Sequence, residues 1–310
     1  MIINNIVIVS PMYKEIQALI ESAQLQKEFR YLPEDEVTDK DLEWADAFLS
    51  FKTKNTYDYS KFKWVHSLGA GVDSFLFKKE WDENVLLTRT ICSFGQRIAE
   101  YCLSYILKDL QFHAQFYQLK TEKKWNPITP KLLHEAKVMI YGTGEIGQKT
   151  AQVLSSLGVE VYGVSLSGKD KEFFKGVLPV DSHDSLLNKM DYVINTLPLT
   201  EKTENLFNEQ IFKFLNNVGF INVGRGASLN ETALLAAMDE NQVRFAVLDV
   251  FDQEPLPVDN PLWNHPNVTI TPHISAVTTP CEAVDCFIET LENLEWNKPL
   301  RNKVDVIKEF

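Results

Sequence analysis

The sequence predicts an α/β protein built on doubly wound parallel sheets. Three observations carry that prediction. Residues 136–165 read strand, glycine turn, helix and strand without interruption. Short apolar runs alternate with helix-length segments on both sides of that unit. The 310 residues, 45% hydrophobic and 24% charged, suit an ordinary globular chain of one large or two medium domains.

The central unit comes first because the others are placed by it. Val138-Met139-Ile140-Tyr141 is a short apolar run, as expected of a strand buried on both faces. Gly142-Thr143-Gly144-Glu145-Ile146-Gly147 follows with G-x-G-x-x-G spacing. Apolar Ile146, Ala151, Val153, Leu154 and Leu157 then recur with helical period, and Gly158 is placed to stop the helix. Val159 to Val164 supplies the second strand. Gly142 permits the tight turn, Gly144 lets the backbone approach a pyrophosphate, and Gly147 lets the helix pack on the strand. The helix start at Glu145 and Ile146 aims unpaired N–H groups at phosphate oxygens. Such a loop alone also serves other nucleotide binders; set between strand and helix it points to a dinucleotide in a Rossmann-like domain.

The cofactor is expected to be NADP(H) ahead of NAD(H). An acid near the end of the second strand, about 20 residues on, ordinarily bonds the ribose hydroxyls of NAD. Here Gly163-Val164-Ser165-Leu166-Ser167-Gly168-Lys169 carries no carboxylate before Asp170. Ser165, Ser167 and Lys169 offer partners for a 2′-phosphate, although Leu166 is not the arginine such sites often use.

Net charge of −12 and a pI near 5.1 argue against nucleic acid or an anionic membrane as partner. An anionic substrate therefore needs local positive charge. Cys92, Cys102, Cys281 and Cys286 show no CxxC or zinc spacing, so no metal is expected and the thiols read as reduced in a cytoplasmic protein. The start MIINNIVIVSPMYKE lacks a basic segment and a cleavage site, so it does not read as a signal peptide, and no run of 18 apolar residues occurs.

Taken in order, Ile6 to Val9 reads as a strand, with Ser10-Pro11 as N-cap and first helical residue of the next element. Strands follow around Ala47–Leu49 and Lys63–Ser67, the latter running into Leu68-Gly69-Ala70-Gly71-Val72-Asp73. That turn is either a plain tight turn or a row of N–H groups able to hold a carboxylate. Gly95 to Leu119 carries the period of one long helix, with Ile98, Cys102, Tyr105, Ile106 and Leu110 on a stripe. Its further aromatics, Tyr101, Phe112, Phe116 and Tyr117, suggest a subunit interface or a helix buried between domains. After Ser165, strands are expected at Asp191–Leu197, Val218–Val223 and Val243–Val250, with helices at Asn208–Leu215 and after the N-cap Asn230.

In such sheets ligands bind beyond the carboxyl ends of the strands. There the chain delivers Arg225 in Gly224-Arg225-Gly226, Glu254 past Val250, and His273 past Ile270. Hydride transfer to a 2-oxo acid needs a proton donor at the carbonyl oxygen and a cation for the carboxylate. His273, of a residue type with an ordinary pKa of about 6.5, suits the first task. Glu254 is expected to bond its other ring nitrogen and favour the imidazolium. Arg225 offers a planar fork matched to a carboxylate.

These segments, NVGRG at 222–226, DVFDQEPLP at 249–257, NPLW at 260–263 and NVTITPHIS at 267–275, resemble the D-isomer-specific 2-hydroxyacid dehydrogenases. So do LGAGVD at 68–73, AEY at 99–101, GTGEIG at 142–147 and LPLTEKT at 197–203, in family order over nearly the whole chain. The departure at 165–169 looks more like the glyoxylate/hydroxypyruvate reductase branch. The resemblance implies two Rossmann-like domains with a cleft between them: a flavodoxin-like substrate domain, 1–95 plus 281–310, and a dinucleotide domain, 96–280. It implies Arg225, Glu254 and His273 as catalytic residues. Ala70, Gly71, Arg225 and His273 would bind substrate, Asp249 the nicotinamide carboxamide, and Pro198, Thr203 and Val223 would line the cofactor. It implies a homodimer formed through the cofactor domain. Related corepressors share the fold, so an NAD(H)-sensing interaction protein is the alternative reading.

Overall fold

A computed structural model describes residues 1–51, 53 and 57–310 of the chain. They form two compact units, 1–92 with 278–310 and 93–277.

Among the described residues of the first unit, five parallel strands form one sheet: β1 (Asn5–Val9), β2 (Glu28–Leu32), β3 (Ala47–Ser50), β4 (Trp64–Ser67) and β5 (Leu86–Arg89). Their spatial order is β2-β1-β3-β4-β5. Along β1 the side chains alternate between two cores. Ile6 and Ile8 join Phe287 and Leu291, while Val7 and Val9 face Leu42, Phe75 and Leu76. Burial on both faces is why the inner strands read as unbroken apolar runs. Phe287 and Leu291 come from the C-terminal helix, Pro280–Glu295, which starts in a capping box between Thr279 and Glu282. Phe287 stacks on Trp64 of β4 with centroids 5.6 Å apart.

The first helix, α1 (Tyr13–Ser22), begins later than the Ser10-Pro11 signal predicts. Ser10 Oγ accepts the Met12 N–H at 3.1 Å, closing a turn ahead of the helix. α1 packs on the Ile6 and Ile8 face, and two short helices, α2 (Asp39–Trp44) and α3 (Asp73–Leu76), cover the Val7 and Val9 face.

The second unit opens with α4 (Phe94–Leu110), whose buried stripe Ile98, Cys102, Ile106 and Leu110 lies against the sheet. The single helix expected over 95–119 is broken. The Leu110 carbonyl accepts from Lys131 N–H instead of from a further turn, and Phe112 takes a left-handed φ of 55°. A second helix, α5 (His113–Thr121), follows and buries no side chain.

The sheet here holds seven described strands, all parallel: β6 (Lys137–Tyr141), β7 (Glu160–Ser165), β8 (Gly176–Pro179), β9 (Tyr192–Asn195), β10 (Val218–Asn222), β11 (Val243–Leu248) and β12 (Val268–Ile270). Their order is β12-β11-β10-β9-β6-β7-β8. Between them run α6 (Glu145–Ser156), α7 (Asp184–Leu187), α8 (Glu209–Phe212) and α9 (Glu231–Asp239). Val138 and Ile140 of β6 pack with α4 and α6, whereas Met139 and Tyr141 pack on the α9 side. The edge strand β8 and the one-turn α7 were not legible, because neither carries a long apolar pattern. Leu157, counted in the α6 stripe from sequence, is 46% exposed: it is the C-cap, past the last helical turn.

His66 on β4 is wholly buried, and burial pushes its imidazolium pKa down from 6.5 to about 3. The unfolded chain takes up that proton below about pH 6.5 while the folded chain excludes it. Stability is therefore lost as pH falls from 6.5 toward 3, by up to about 1.4 kcal/mol per pH unit. His66→Gln should flatten the fall between pH 6.5 and 4.5 in denaturant titrations; an unchanged slope would contradict the assignment.

Candidate active site

The described strands of the second unit are all parallel, so one sheet edge collects every strand's carboxyl end. The glycine turn lies at the end of β6. Gly142 has φ of +96°, its N–H donates to Val164 O at 2.9 Å, and Thr196 Oγ1 donates to the Tyr141 carbonyl at 2.8 Å. A Cβ on Gly147 would lie 1.8 Å from the Gly142 carbonyl oxygen, so helix and turn touch there through backbone alone. A Cβ on Gly144 would meet nothing within 4 Å. This open backbone is the N-cap of α6, with Glu145 and Ile146 in the first turn, and it fits a pyrophosphate.

At the end of β7, Ser165 Oγ accepts from Gly168 N–H at 3.1 Å, and Leu166 and Lys169 are exposed. Beyond β9 the segment 198–203 is tied by Thr203. Its Oγ1 donates to the Pro198 carbonyl at 2.7 Å and accepts from Thr200 N–H at 2.8 Å. Val223, just past β10, is buried.

Arg225 follows on a turn held from beneath by a buried polar network. Asn195 Nδ2 donates to Asn222 Oδ1 at 2.9 Å and to Ser228 Oγ at 2.8 Å. Ser228 Oγ in turn donates to the Arg225 carbonyl at 2.6 Å. Gly226 then sets the next neighbour. A Cβ there would lie 1.8 Å from the carbonyl carbon of Phe251, so this turn packs backbone to backbone on the loop after β11.

That second loop carries Glu254. Its Oε1 accepts from Phe251 N–H at 3.1 Å, and its Oε2 lies 2.9 Å from His273 Nδ1. His273 sits at the end of β12 with a left-handed φ of 55°, and its N–H donates to the Asp249 carbonyl at 2.8 Å. The Asp249 carboxylate is fully buried and holds the same turn. Oδ1 accepts from Thr271 Oγ1 at 2.6 Å and Ile274 N–H at 2.8 Å, and Oδ2 accepts from Ser275 N–H at 2.9 Å. Tyr101 Oη on α4 lies 2.6 Å from Thr271 Oγ1. Burial pushes the Tyr101 phenol pKa far above its usual value, so it stays neutral.

In the first unit, the turn after β4 places Ala70 and Gly71 with N–H groups that meet no partner among the described residues.

A family model described as D-isomer specific 2-hydroxyacid dehydrogenase, NAD binding domain, matches residues 103–275. The glyoxylate/hydroxypyruvate reductase A of Salmonella newport (strain SL254) is 34% identical over 252 residues, 79% of this chain and 81% of that one. The chain belongs to the D-isomer specific 2-hydroxyacid dehydrogenase family. As a member it is an NAD(P)-dependent oxidoreductase acting on 2-oxo and 2-hydroxy acids. Two solved family structures match it along its length. One, from Xanthobacter autotrophicus Py2 in complex with NADPH and MES, has a TM-score of 0.88 at 28% identity, covering 100% of both chains. The other is an NADPH-dependent glyoxylate/hydroxypyruvate reductase from Sinorhizobium meliloti with NADP and sulfate. It has a TM-score of 0.88 at 28% identity, covering 99% of this chain and all of that one. Among the described residues no helix is long and apolar enough to cross a membrane.

The structure thus gathers Gly142, Gly144 and Gly147 with Arg225, Glu254 and His273 on one edge of this dehydrogenase's larger sheet. Asp249, given to the carboxamide from the resemblance, has its oxygens engaged by the His273 turn. Sequence reading missed Asn195, Asn222 and Ser228, although asparagine inside two otherwise apolar strands was a visible signal. Gly226→Ala should force the Arg225 and Glu254 turns apart and lower kcat/KM about a hundredfold, with circular dichroism unchanged. Parent-like kinetics would show that the backbone contact does not set the site.

Proposed function

We propose that this dehydrogenase reduces glyoxylate or hydroxypyruvate to the corresponding 2-hydroxy acid, with NADPH as reductant. The reading is carried by the His273–Glu254 pair, 2.9 Å apart on the sheet edge that also bears the glycine turn. A bound NADPH supplies the hydride. The chain supplies the rest. Glu254 occupies Nδ1 of His273 and fixes the ring, leaving Nε2 to donate a proton to the substrate carbonyl oxygen. Arg225 binds the carboxylate and the oxygen on which charge develops. The amides of Ala70 and Gly71 take the carboxylate as well. Pro198, Thr203 and Val223 line the cofactor, while Gly142, Gly144, Glu145, Ile146 and Gly147 hold the pyrophosphate.

The loop after β7 favours NADPH over NADH. The segment from Ser165 to the exposed Lys169 holds no carboxylate before Asp170, and relatives of the same fold carry NADPH or NADP. The substrate class is supported by the curated relatives. We further propose a cytoplasmic homodimer. Supporting it, α5 exposes Phe116 and Tyr117, and Trp125 beyond it is 100% exposed, which leaves aromatic surface for a second copy. The four cysteines are free thiols, in keeping with a reducing compartment.

The test is an initial-rate matrix of glyoxylate, hydroxypyruvate, pyruvate and a branched 2-oxo acid against NADH and NADPH, for the parent and His273→Ala. The highest kcat/KM should fall on glyoxylate or hydroxypyruvate with NADPH. His273→Ala should lose about 10²–10⁴-fold in kcat with unchanged NADPH affinity. A preference for NADH with pyruvate would overturn the substrate and cofactor, and near-parent turnover of the variant would overturn the proton donor.

A further inference from the structure

Behind the turn at 69–71, the first unit holds a buried polar string that hydride transfer does not use directly. Trp64, His66, Ser67, Thr88 and Thr90 are each 0% exposed. Trp64 Nε1–H donates to Thr88 Oγ1 at 2.8 Å, and an indole nitrogen can only donate. Thr88 Oγ1 is 2.7 Å from His66 Nδ1, and Thr90 Oγ1 is 3.3 Å from His66 Nε2. Were Nδ1 protonated, the Thr88 hydroxyl proton would be buried with no acceptor among the described residues. The network therefore assigns the Nε2–H tautomer. Donors then run in one direction: Trp64 to Thr88, Thr88 to Nδ1, Nε2–H to Thr90, and Thr90 Oγ1 to the Ser67 carbonyl at 3.1 Å.

The string ends on the turn itself. Thr90 N–H donates to Ser67 O at 2.8 Å and to Gly69 O at 3.2 Å. Ser67 Oγ donates to Gly71 O at 2.8 Å and accepts Gly69 N–H at 3.3 Å. In a planar trans peptide the N–H points opposite to the C=O. Drawing the Gly69 carbonyl inward onto Thr90 and Ser67 thus turns the Ala70 N–H outward.

We propose that Ser67 and Thr90, the latter held by His66, are positioning residues for substrate: they aim the Ala70 amide at the carboxylate of the 2-oxo acid. This rests on the reading of Ala70 and Gly71 as carboxylate binders. A plain tight turn needs no such buried backing. The string explains why a histidine and two threonines occupy core positions where valine or isoleucine would pack without polar demands.

The experiment compares Ser67→Ala, Thr90→Val, Thr90→Ser and Ala70→Pro in the full chain, with hydroxypyruvate kinetics and fluorescence titration of NADPH. Ser67→Ala and Thr90→Val should each lower kcat/KM for hydroxypyruvate about tenfold through KM, leaving NADPH affinity unchanged. Thr90→Ser, which returns the hydroxyl, should recover most of the loss. If Ala70→Pro raises KM while Ser67→Ala and Thr90→Val do not, the positioning role is wrong and the carboxylate turn stands. If none of the four moves KM, the carboxylate turn itself is wrong. A loss of NADPH affinity in parallel with KM would show general damage and also overturn the proposal.

Discussion

The contact on which the site depends joins His273 Nδ1 to the Glu254 carboxylate. It is reached only because three loops are tied together by short-range forces. Gly226 seats the Arg225 turn on the backbone of Phe251; the Phe251 N–H holds Glu254; and Glu254 meets the imidazole. From the other side, the buried carboxylate of Asp249 gathers Thr271, Ile274 and Ser275 and so fixes the turn from which His273 projects. A buried carboxylate is costly unless its oxygens are bonded. Here that need is met by the turn from which His273 projects.

The parallel sheet makes this convergence possible. Residues 225, 254 and 273 follow β10, β11 and β12, which lie side by side, and parallel strands release their chains at one edge. An antiparallel pairing of the same segments would send alternate loops to opposite edges. The first unit follows the same rule with different means. Its β4 ends in a turn whose carbonyls are drawn inward by Ser67 and Thr90, which turns the Ala70 N–H outward.

Much of this was legible because function and backbone geometry coincide in glycine and in strand-end charges. The G-x-G-x-x-G spacing names three positions, and the structure gives each a distinct reason: a positive φ at Gly142, open approach at Gly144, and a 1.8 Å backbone contact at Gly147. Less legible were features set by long-range contact. The break at Phe112 depends on Lys131 returning to cap the Leu110 carbonyl, after an excursion through α5 that no local period reveals. The hold of Asp249 on the His273 turn, and the asparagines beneath Arg225, depend on partners far away in the chain. Local pattern cannot rank such polar residues, since each looks ordinary until its partner is known.

In the proposed function Glu254 acts on the reaction through His273, whose Nδ1 lies 2.9 Å from its carboxylate. A kinetic double-mutant cycle tests this most directly, comparing Glu254→Ala, His273→Ala and the double variant with hydroxypyruvate and NADPH. If Glu254 works by holding the imidazole, the double variant should be no slower than His273→Ala alone. Losses that multiply would mean that the carboxylate acts on substrate or cofactor independently, and would contradict the pair as the centre of the site.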